Sequence, residues 1–309
     1  MEKYQGSKGR DRKPVIQVLE SGTLDGIRLT KNAVEERLKF EWSHYSEIAR
    51  QRNAIQDPLK QSLVQKSIPY QFENFQRSVK YKYSLHPLSV AGSLSYVGGR
   101  FNIGKNINSE LQYFPGLYLA YDKDTALQEH LGQEPIKSGS SLTPRDLALT
   151  NPSSETIVSV SGKLDKVFDL TNLDNLSPFV DLIKGFKISK DFTQHARRLN
   201  FHLPLMVKTK KQLIQSLLAL DWRRLPSMYD IPANSQIFGH LVYSAGIEGI
   251  LYTSKFTGKN CLVIFPRNFV GTDSFIEIDD EPPHKIVPKR LNASNWRASE
   301  MSLEEISGA

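Results

Sequence analysis

The chain has 309 residues, enough to bury a substantial core in one large domain with appended segments. Hydrophobic residues at 39% and aromatics at 10% exclude a disordered chain, and the single cysteine, Cys261, excludes an internal disulfide framework and a cysteine-rich zinc site. A formal net charge of +7 favours anionic partners, whether nucleotides, nucleic acid or an acidic protein, without choosing among them.

Met1 to Val15 is polar and basic and lacks the apolar core of a secretory signal, and no apolar run approaches the roughly 18 residues that span a bilayer. The expectation is a soluble cytoplasmic protein, with export by a signal-independent route left open. The first thirty or so residues read as a loose leader in which only Val15 to Leu19 is strand-like. From Asn32 to Arg52 the residues Val34, Leu38, Trp42, Tyr45 and Ile48 recur every three or four positions, which predicts an amphipathic helix that covers the main domain, docks a partner or joins a dimer contact. Tyr70 to Val97 predicts short strands and loops.

Gly116 to Tyr121 predicts a strand, after which Asp122 or Asp124 caps a helix carrying Ala126, Leu127, Glu129, His130 and Leu131. Ser138 to Glu155 reads as a loop, and Ile157 to Val160 and Lys166 to Leu170 as two short strands. A helical stretch follows from about Pro178 to Leu220, interrupted at Pro204; between Asp181 and Gln215 it holds eight Lys or Arg against Asp181 and Asp191. Ser235 to Phe269 predicts a helix through Phe238, Leu241, Val242 and Ala245 that ends at Gly246. Strands Gly249 to Tyr252 and Cys261 to Phe265 come next, joined by a turn at Phe256 to Lys259. Beyond Gly271 the chain is acidic, then proline-rich, then polar. The predicted organisation is a leader and helical extension over 1–75, a catalytic domain over 76–273 with a basic helical insertion at about 178–220, and a polar tail over 274–309.

Candidate site residues stand at the edges of these elements. Gly98-Gly99-Arg100-Phe101-Asn102 suits a tight turn that presents a guanidinium to a cleft, although glycine pairs are routine in turns around surface arginines. Tyr118 and Glu129 can face one cleft from adjacent strand and helix; taken singly, such a Tyr mostly packs and such a Glu is mostly solvated. Ser254 lies where a strand opens into a loop, with a local backbone-bonding role as its plain alternative. His130 beside Glu129 points about 100 degrees away on a helix and reads as a packing residue. The seven histidines form no metalloprotease-type pair, and no phosphate loop or dinucleotide fingerprint is present, so neither a metal nor a resident nucleotide cofactor is expected.

Taken together these segments resemble the RES domain family, named for a recurring Arg, Glu and Ser. The resemblance rests on Gly98-Gly99-Arg100-Phe101-Asn102; Leu117-Tyr118-Leu119-Ala120 with Thr125-Ala126-Leu127-Gln128-Glu129; Phe168-Asp169-Leu170-Thr171; Ser235-Gln236 with Phe238-Gly239; and Gly246-Ile247-Glu248-Gly249-Ile250 through Ser254, Gly258 and Leu262-Val263-Ile264-Phe265. Phe101 stands where the family often has Trp, the loop from Ile103 to Pro115 is longer than usual, and the basic block looks inserted. The resemblance makes Arg100, Glu129 and Ser254 the three namesakes. It implies an α+β fold with an ADP-ribosyltransferase-like mixed sheet and flanking helices, and a toxin that consumes NAD+ beside a cognate antitoxin.

For NAD+ as substrate, Arg100 offers a planar fork to the pyrophosphate, Tyr118 a ring face to the cationic nicotinamide, and Glu129 a carboxylate to the oxocarbenium-like ribose. Ser254 takes a supporting role, bonded to Glu129 or to the nicotinamide amide, and Gly99 and Asn102 complete the NAD+ contacts. The acceptor stays open among water (glycohydrolase), inorganic phosphate (phosphorylase) and a protein (mono-ADP-ribosyltransferase). A non-enzymatic nucleic-acid binder acting through Arg197, Arg198, Lys208, Lys210 and Lys211 is the competing class, weighed against the tendency of charge runs to be solvated faces. The other expected partners are an antitoxin docked on that block and a second copy of the chain.

Overall fold

The computed structural model describes residues 21–107, 110–131, 155–281, 286 and 288–301, with the backbone alone for 21–30 and 131. The strand-like Val15 to Leu19 and the loop over 138–154 lie outside the described residues. The architecture is α+β, built on one mixed seven-stranded sheet with helices against it. Among the described residues no helix is long and apolar enough to cross a membrane.

Two long strands form the backbone of the sheet: β1 (Ser67–Lys80) runs antiparallel to β5 (Glu155–Asp169) along nearly its whole length. The two short strands expected between Ile157 and Leu170 are thus one. Gly162, between the two expected strands, lies inside β5 where the chains pack closely: a Cβ there would come within 2.5 Å of the Phe275 carbonyl and 2.9 Å of the Phe72 ring. Likewise, the expected short strands after Tyr70 are the end of β1, followed only by two 3-10 turns, Tyr81–Tyr83 and Ala91–Leu94.

A small hairpin, β2 (Gly98–Gly99) with β3 (Asn102–Ile103), precedes β4 (Leu117–Ala120), and α3 (Lys123–Leu131) follows it. The antiparallel pair β6 (Gly249–Thr253) and β7 (Asn260–Ile264) completes the central sheet. The strand order is β1-β4-β7-β6-β5, and β1 also pairs with β5, so these five close into a ring; β8 (Phe275–Ile278) and β9 (Arg290–Asn292) extend it from β5. Closure removes the free edges that an open sheet would present.

Period-2 alternation sorts the strand residues into two cores. Leu117, Leu119, Leu251, Leu262 and Ile264 join Phe72, Leu164 and Phe269 on one face. Tyr118, Ala120, Ile250, Tyr252, Cys261 and Val263 fall on the other, beneath the helices. Tyr118 stands opposite Val263 and Ala120 opposite Cys261, and Cys261 is also opposite Tyr252, so this second face carries polar aromatic groups into one neighbourhood.

The helical layer holds α2 (Gln56–Val64), α4 (Ser177–Ile183), α5 (Lys190–Arg198), α6 (Lys210–Leu217), α7 (Arg224–Tyr229) and α8 (Asn234–Ser244). Within the basic block, α5 buries Phe192 and Ala196 while Arg197 and Arg198 are exposed, and α6 buries Leu213 and Leu217. Arg197, Arg198 and Lys211 lie on the solvated faces of these helices, Lys210 pairs with Asp174, and Lys208, just before α6, bonds the Lys184 and Phe186 carbonyls.

The N-terminal helix differs from expectation twice. α1 runs over Ser21–Ala54, beginning inside the expected leader, and it turns a partly different face inward. Val34 is 60% and Leu38 38% exposed, whereas Phe40, Glu41, Ala49 and Arg52 are buried. Of the expected stripe, Trp42, Tyr45 and Ile48 are half-buried and only Val34 and Leu38 are exposed; the inward face is half polar, so apolar periodicity captures only part of it. The predicted domain limits also cut across the sheet: β1 spans position 75, and β8 and β9 lie in the expected tail.

Candidate active site

The Gly98–Gly99 hairpin carries Arg100 at its turn. Gly98 has a φ of 87°, a left-handed conformation that favours glycine, and a Cβ on Gly99 would lie 2.5 Å from the Tyr118 hydroxyl. That hydroxyl accepts from Phe101 N at 2.9 Å and donates to Asn102 Oδ1 at 2.9 Å. Asn102 Oδ1 also accepts from Gly99 N at 2.9 Å, while its amide nitrogen donates to the carbonyls of Ser93 and Phe114. Gln236, fully buried at the start of α8, donates to the carbonyls of Val97, Gly99 and Asn102 and accepts from Ala233 N. Two buried amides thus hold the turn from both sides and fix the path of Arg100.

Glu129 is held by an equally specific arrangement. Asp122, Thr125 and Glu129 are spaced by three and four, hence on one face of α3 and its cap. Each meets the β6–β7 turn: Asp122 pairs with Lys259, Thr125 Oγ1 lies 2.9 Å from Thr257 Oγ1, and Ser254 Oγ donates to Glu129 Oε1 at 2.7 Å. Asp122 also caps the helix through Thr125 N, which resolves the choice between Asp122 and Asp124. The Ser254 hydroxyl, 2% exposed, accepts in turn from Phe256 N and Thr257 N. Its proton is committed to a carboxylate, an arrangement that orients Glu129 and leaves no free hydroxyl for attack.

Between these parts lies a cleft of about 160 Å³ lined by Gly99, Arg100, Tyr118, Glu129, Trp222 and Arg223, with Tyr252 and Cys261 among its other walls. Arg100, 6% exposed, donates Nη1 to the Ala219 carbonyl at 2.8 Å and has its guanidinium 5.9 Å from the Trp222 ring centre. Arg223 lies 4.6 Å from the same ring. Desolvation, and next the like charge of Arg100, hold Arg223 below the usual guanidinium range. Neither arginine forms an ion pair among the described residues. Burial pushes the Tyr118 phenol well above its ordinary range and the Cys261 thiol likewise, so both are neutral; for Cys261 the Glu129 charge adds to the effect.

The six expected site residues fall into two layers. Gly99, Arg100, Tyr118 and Glu129 line the cleft; Ser254 and Asn102 lie behind it and act through Glu129 and through Tyr118 with the turn. His130 also lines the cleft rather than packing, and its Nε2 is 3.1 Å from Glu155 Oε1. Burial opposes ionisation of Glu155, but the bonds from His130 and Ser78 outweigh it and hold the carboxyl below its usual range. Trp222 and Arg223 were not foreseen, since they belong to no motif and follow a helix over 100 positions from Arg100. The adjacent aromatic and cationic residues were the only signal.

The sequence pattern of the RES domain matches residues 76–284, more than half of the chain. This chain belongs to the RES domain family. The matched span starts within β1 and ends beyond β8, so it takes in the end of β1, the other strands of the ring, the cleft and the basic helices. No curated protein sequence matches the chain. Among solved structures, the M. tuberculosis MbcT–MbcA toxin–antitoxin complex is similar over 80% of this chain and 98% of that one, at 13% identity and a TM-score of 0.40. That likeness is too distant to bear on the chemistry of this RES domain.

Proposed function

We propose that this RES domain binds NAD+ with its nicotinamide–ribose end in the cleft and cleaves the bond between them, acting as the toxin of a toxin–antitoxin pair. The observation that supports the reading most directly is the carboxylate of Glu129, oriented by Ser254, in the same cleft as two guanidiniums that have no carboxylate partner among the described residues. A dinucleotide matches that charge pattern, with its pyrophosphate for Arg100 and Arg223 and its electron-deficient ribose for Glu129. The cleft is smaller than the roughly 300–1,000 Å³ that encloses a drug-sized ligand, so one end of the dinucleotide is enclosed and the remainder lies outside. In the same reading the fold is of the ADP-ribosyltransferase-like kind.

In the bond-breaking step the C1'–N electron pair leaves with nicotinamide, which departs neutral and needs no general acid. Positive charge moves to C1' and O4' of the ribose, where the Glu129 carboxylate stabilises it; the neutral Tyr118 ring lines the adjoining wall. The acceptor then bonds to C1' and gives up its proton to the Glu129 carboxylate, from which it passes to solvent. Purified protein incubated with NAD+, with and without inorganic phosphate, is to be followed by mass spectrometry. ADP-ribose identifies hydrolysis, its 1''-phosphate identifies phosphorolysis, and labelled protein after addition of a lysate identifies transfer to a protein. Glu129→Gln is expected to slow NAD+ loss by about 100- to 1,000-fold with the fold intact, and to abolish growth arrest on expression. Intact NAD+ in every condition overturns the reading.

A further inference from the structure

Behind the cleft, α1 roofs a second and larger cavity of about 490 Å³. The helix turns Arg37, Glu41, His44, Tyr45, Ile48 and Arg52 toward it, a spacing of three and four that puts them on one face, over a floor of apolar side chains such as Phe179, Leu217 and Phe238. Glu41 is satisfied by Arg37 and by Arg224 at 3.8 Å. Arg52 is not: it is 8% exposed, and among the described residues its guanidinium has neither an acceptor nor a carboxylate, its near neighbour being the Tyr45 ring at 5.8 Å. The Tyr45 hydroxyl, His44 Nε2 and Arg37 Nε are buried on the same face, also without a hydrogen-bond partner.

Folded proteins leave few such atoms, because a buried charge or donor without a partner opposes folding. Here they gather around one roomy cavity. Asp221, the other carboxylate on its lining, is exposed. We propose that the cavity is a binding site for a small organic anion with an apolar body, a monocarboxylate whose headgroup pairs with Arg52 and bonds Tyr45 while its body lies on the apolar floor. The volume falls within the range of pockets that enclose a ligand of that size.

The site also adjoins the cleft. Trp222 lines both cavities, and Ala219, which lines the second, accepts the bond from Arg100 at 2.8 Å. A ligand bound under α1 therefore rests on the segment that holds Arg100 and Trp222, and its occupancy alters NAD+ turnover. Only this last consequence depends on the NAD+ reading.

The test is calorimetric titration of the full chain with decanoate and, in parallel, decanol. Decanoate is expected to bind, decanol to bind at least about tenfold more weakly, and Arg52→Met to weaken decanoate by about tenfold or more while leaving decanol unchanged. Without ligand, Arg52→Met should melt at a temperature no lower than the parent, since it removes a charge on a largely buried side chain that has no carboxylate partner among the described residues; a purely structural arginine would lower it. Ile48→Trp, which fills the cavity, should abolish binding of both ligands, and Tyr45→Phe should weaken decanoate alone. Absence of decanoate binding, equal binding of decanoate and decanol, or undiminished binding by Arg52→Met overturns the proposal. Glu129→Gln, which slows turnover, should bind decanoate like the parent, so failure of the NAD+ reading and failure of this one are told apart.

Discussion

Asn102 and Tyr118 show how single polar atoms set the position of the site. The Tyr118 hydroxyl is neutral at any physiological pH, because burial outweighs the pull of the Phe101 amide and of the two nearby guanidiniums toward ionisation. It can therefore accept from Phe101 N and donate to Asn102 at once. Tyr118→Phe keeps the ring but strands the Phe101 amide and one lone pair of Asn102. It should cost about 1–3 kcal/mol, measured by urea denaturation, and lower NAD+ cleavage further through displacement of Arg100. A substitution that left both stability and cleavage at parental levels would show that these bonds do not position the turn. The tyrosine and the asparagine were both visible as motif residues. Their mutual bond was not, since 16 positions separate them.

At the scale of elements, helix α8 meets the Arg100 turn through a glycine. A Cβ on Gly239 would lie 2.1 Å from the Phe101 carbonyl oxygen, a backbone atom that cannot swing aside. Gly239→Ala must then push the helix off the hairpin, and overpacking of this kind costs about 1–3 kcal/mol. The expected readout is a lower melting temperature together with a loss of NAD+ cleavage larger than the unfolded fraction explains. The contacts of α3 with the β6–β7 turn suggest a second test. Thr125→Val preserves shape and deletes the bond to Thr257, so it should destabilise by roughly 1 kcal/mol, seen as a small drop in denaturation midpoint. The strand, cap and helix around Glu129 were readable because each depends on residues within a few positions. The inward face of α1 was readable only in part, at Tyr45 and Ile48, because the polar groups Arg37, Glu41, His44 and Arg52 turned toward the cavity add nothing to an apolar stripe.

The whole molecule should lose stability on acidification. His240, half-buried against the Phe114 ring, has its pKa lowered to about 4, first by burial and then by the charges of Arg52 and Lys60. The unfolded chain binds a proton near pH 6.5 that the native state refuses, so this contribution is complete above pH 6.5 and is lost as pH falls through about 4. His44 is lowered too, chiefly by burial, and acts in the same direction. Glu155 and Asp122, both held below the usual carboxylate range, extend the loss at lower pH. Denaturant midpoints between pH 7 and 4 should therefore fall steadily, and His240→Gln should flatten the upper part of that curve. A flat profile in the parent would show that the imidazole protonates in place.

By itself the sequence determined the RES domain, the order of its motifs, the α+β class and most helices and strands after Gly116. Side-chain periodicity, caps and turns are local, and the residues that carry them lie next to one another. Only the tertiary structure decided that Ser254 orients Glu129 from 125 positions away, that Trp222 and Arg223 join Arg100, and that the supposed tail adds two strands to the sheet. These contacts depend on how the ring of strands closes and how the helices lie upon it, and pairings between distant segments leave no repeating trace in a single chain.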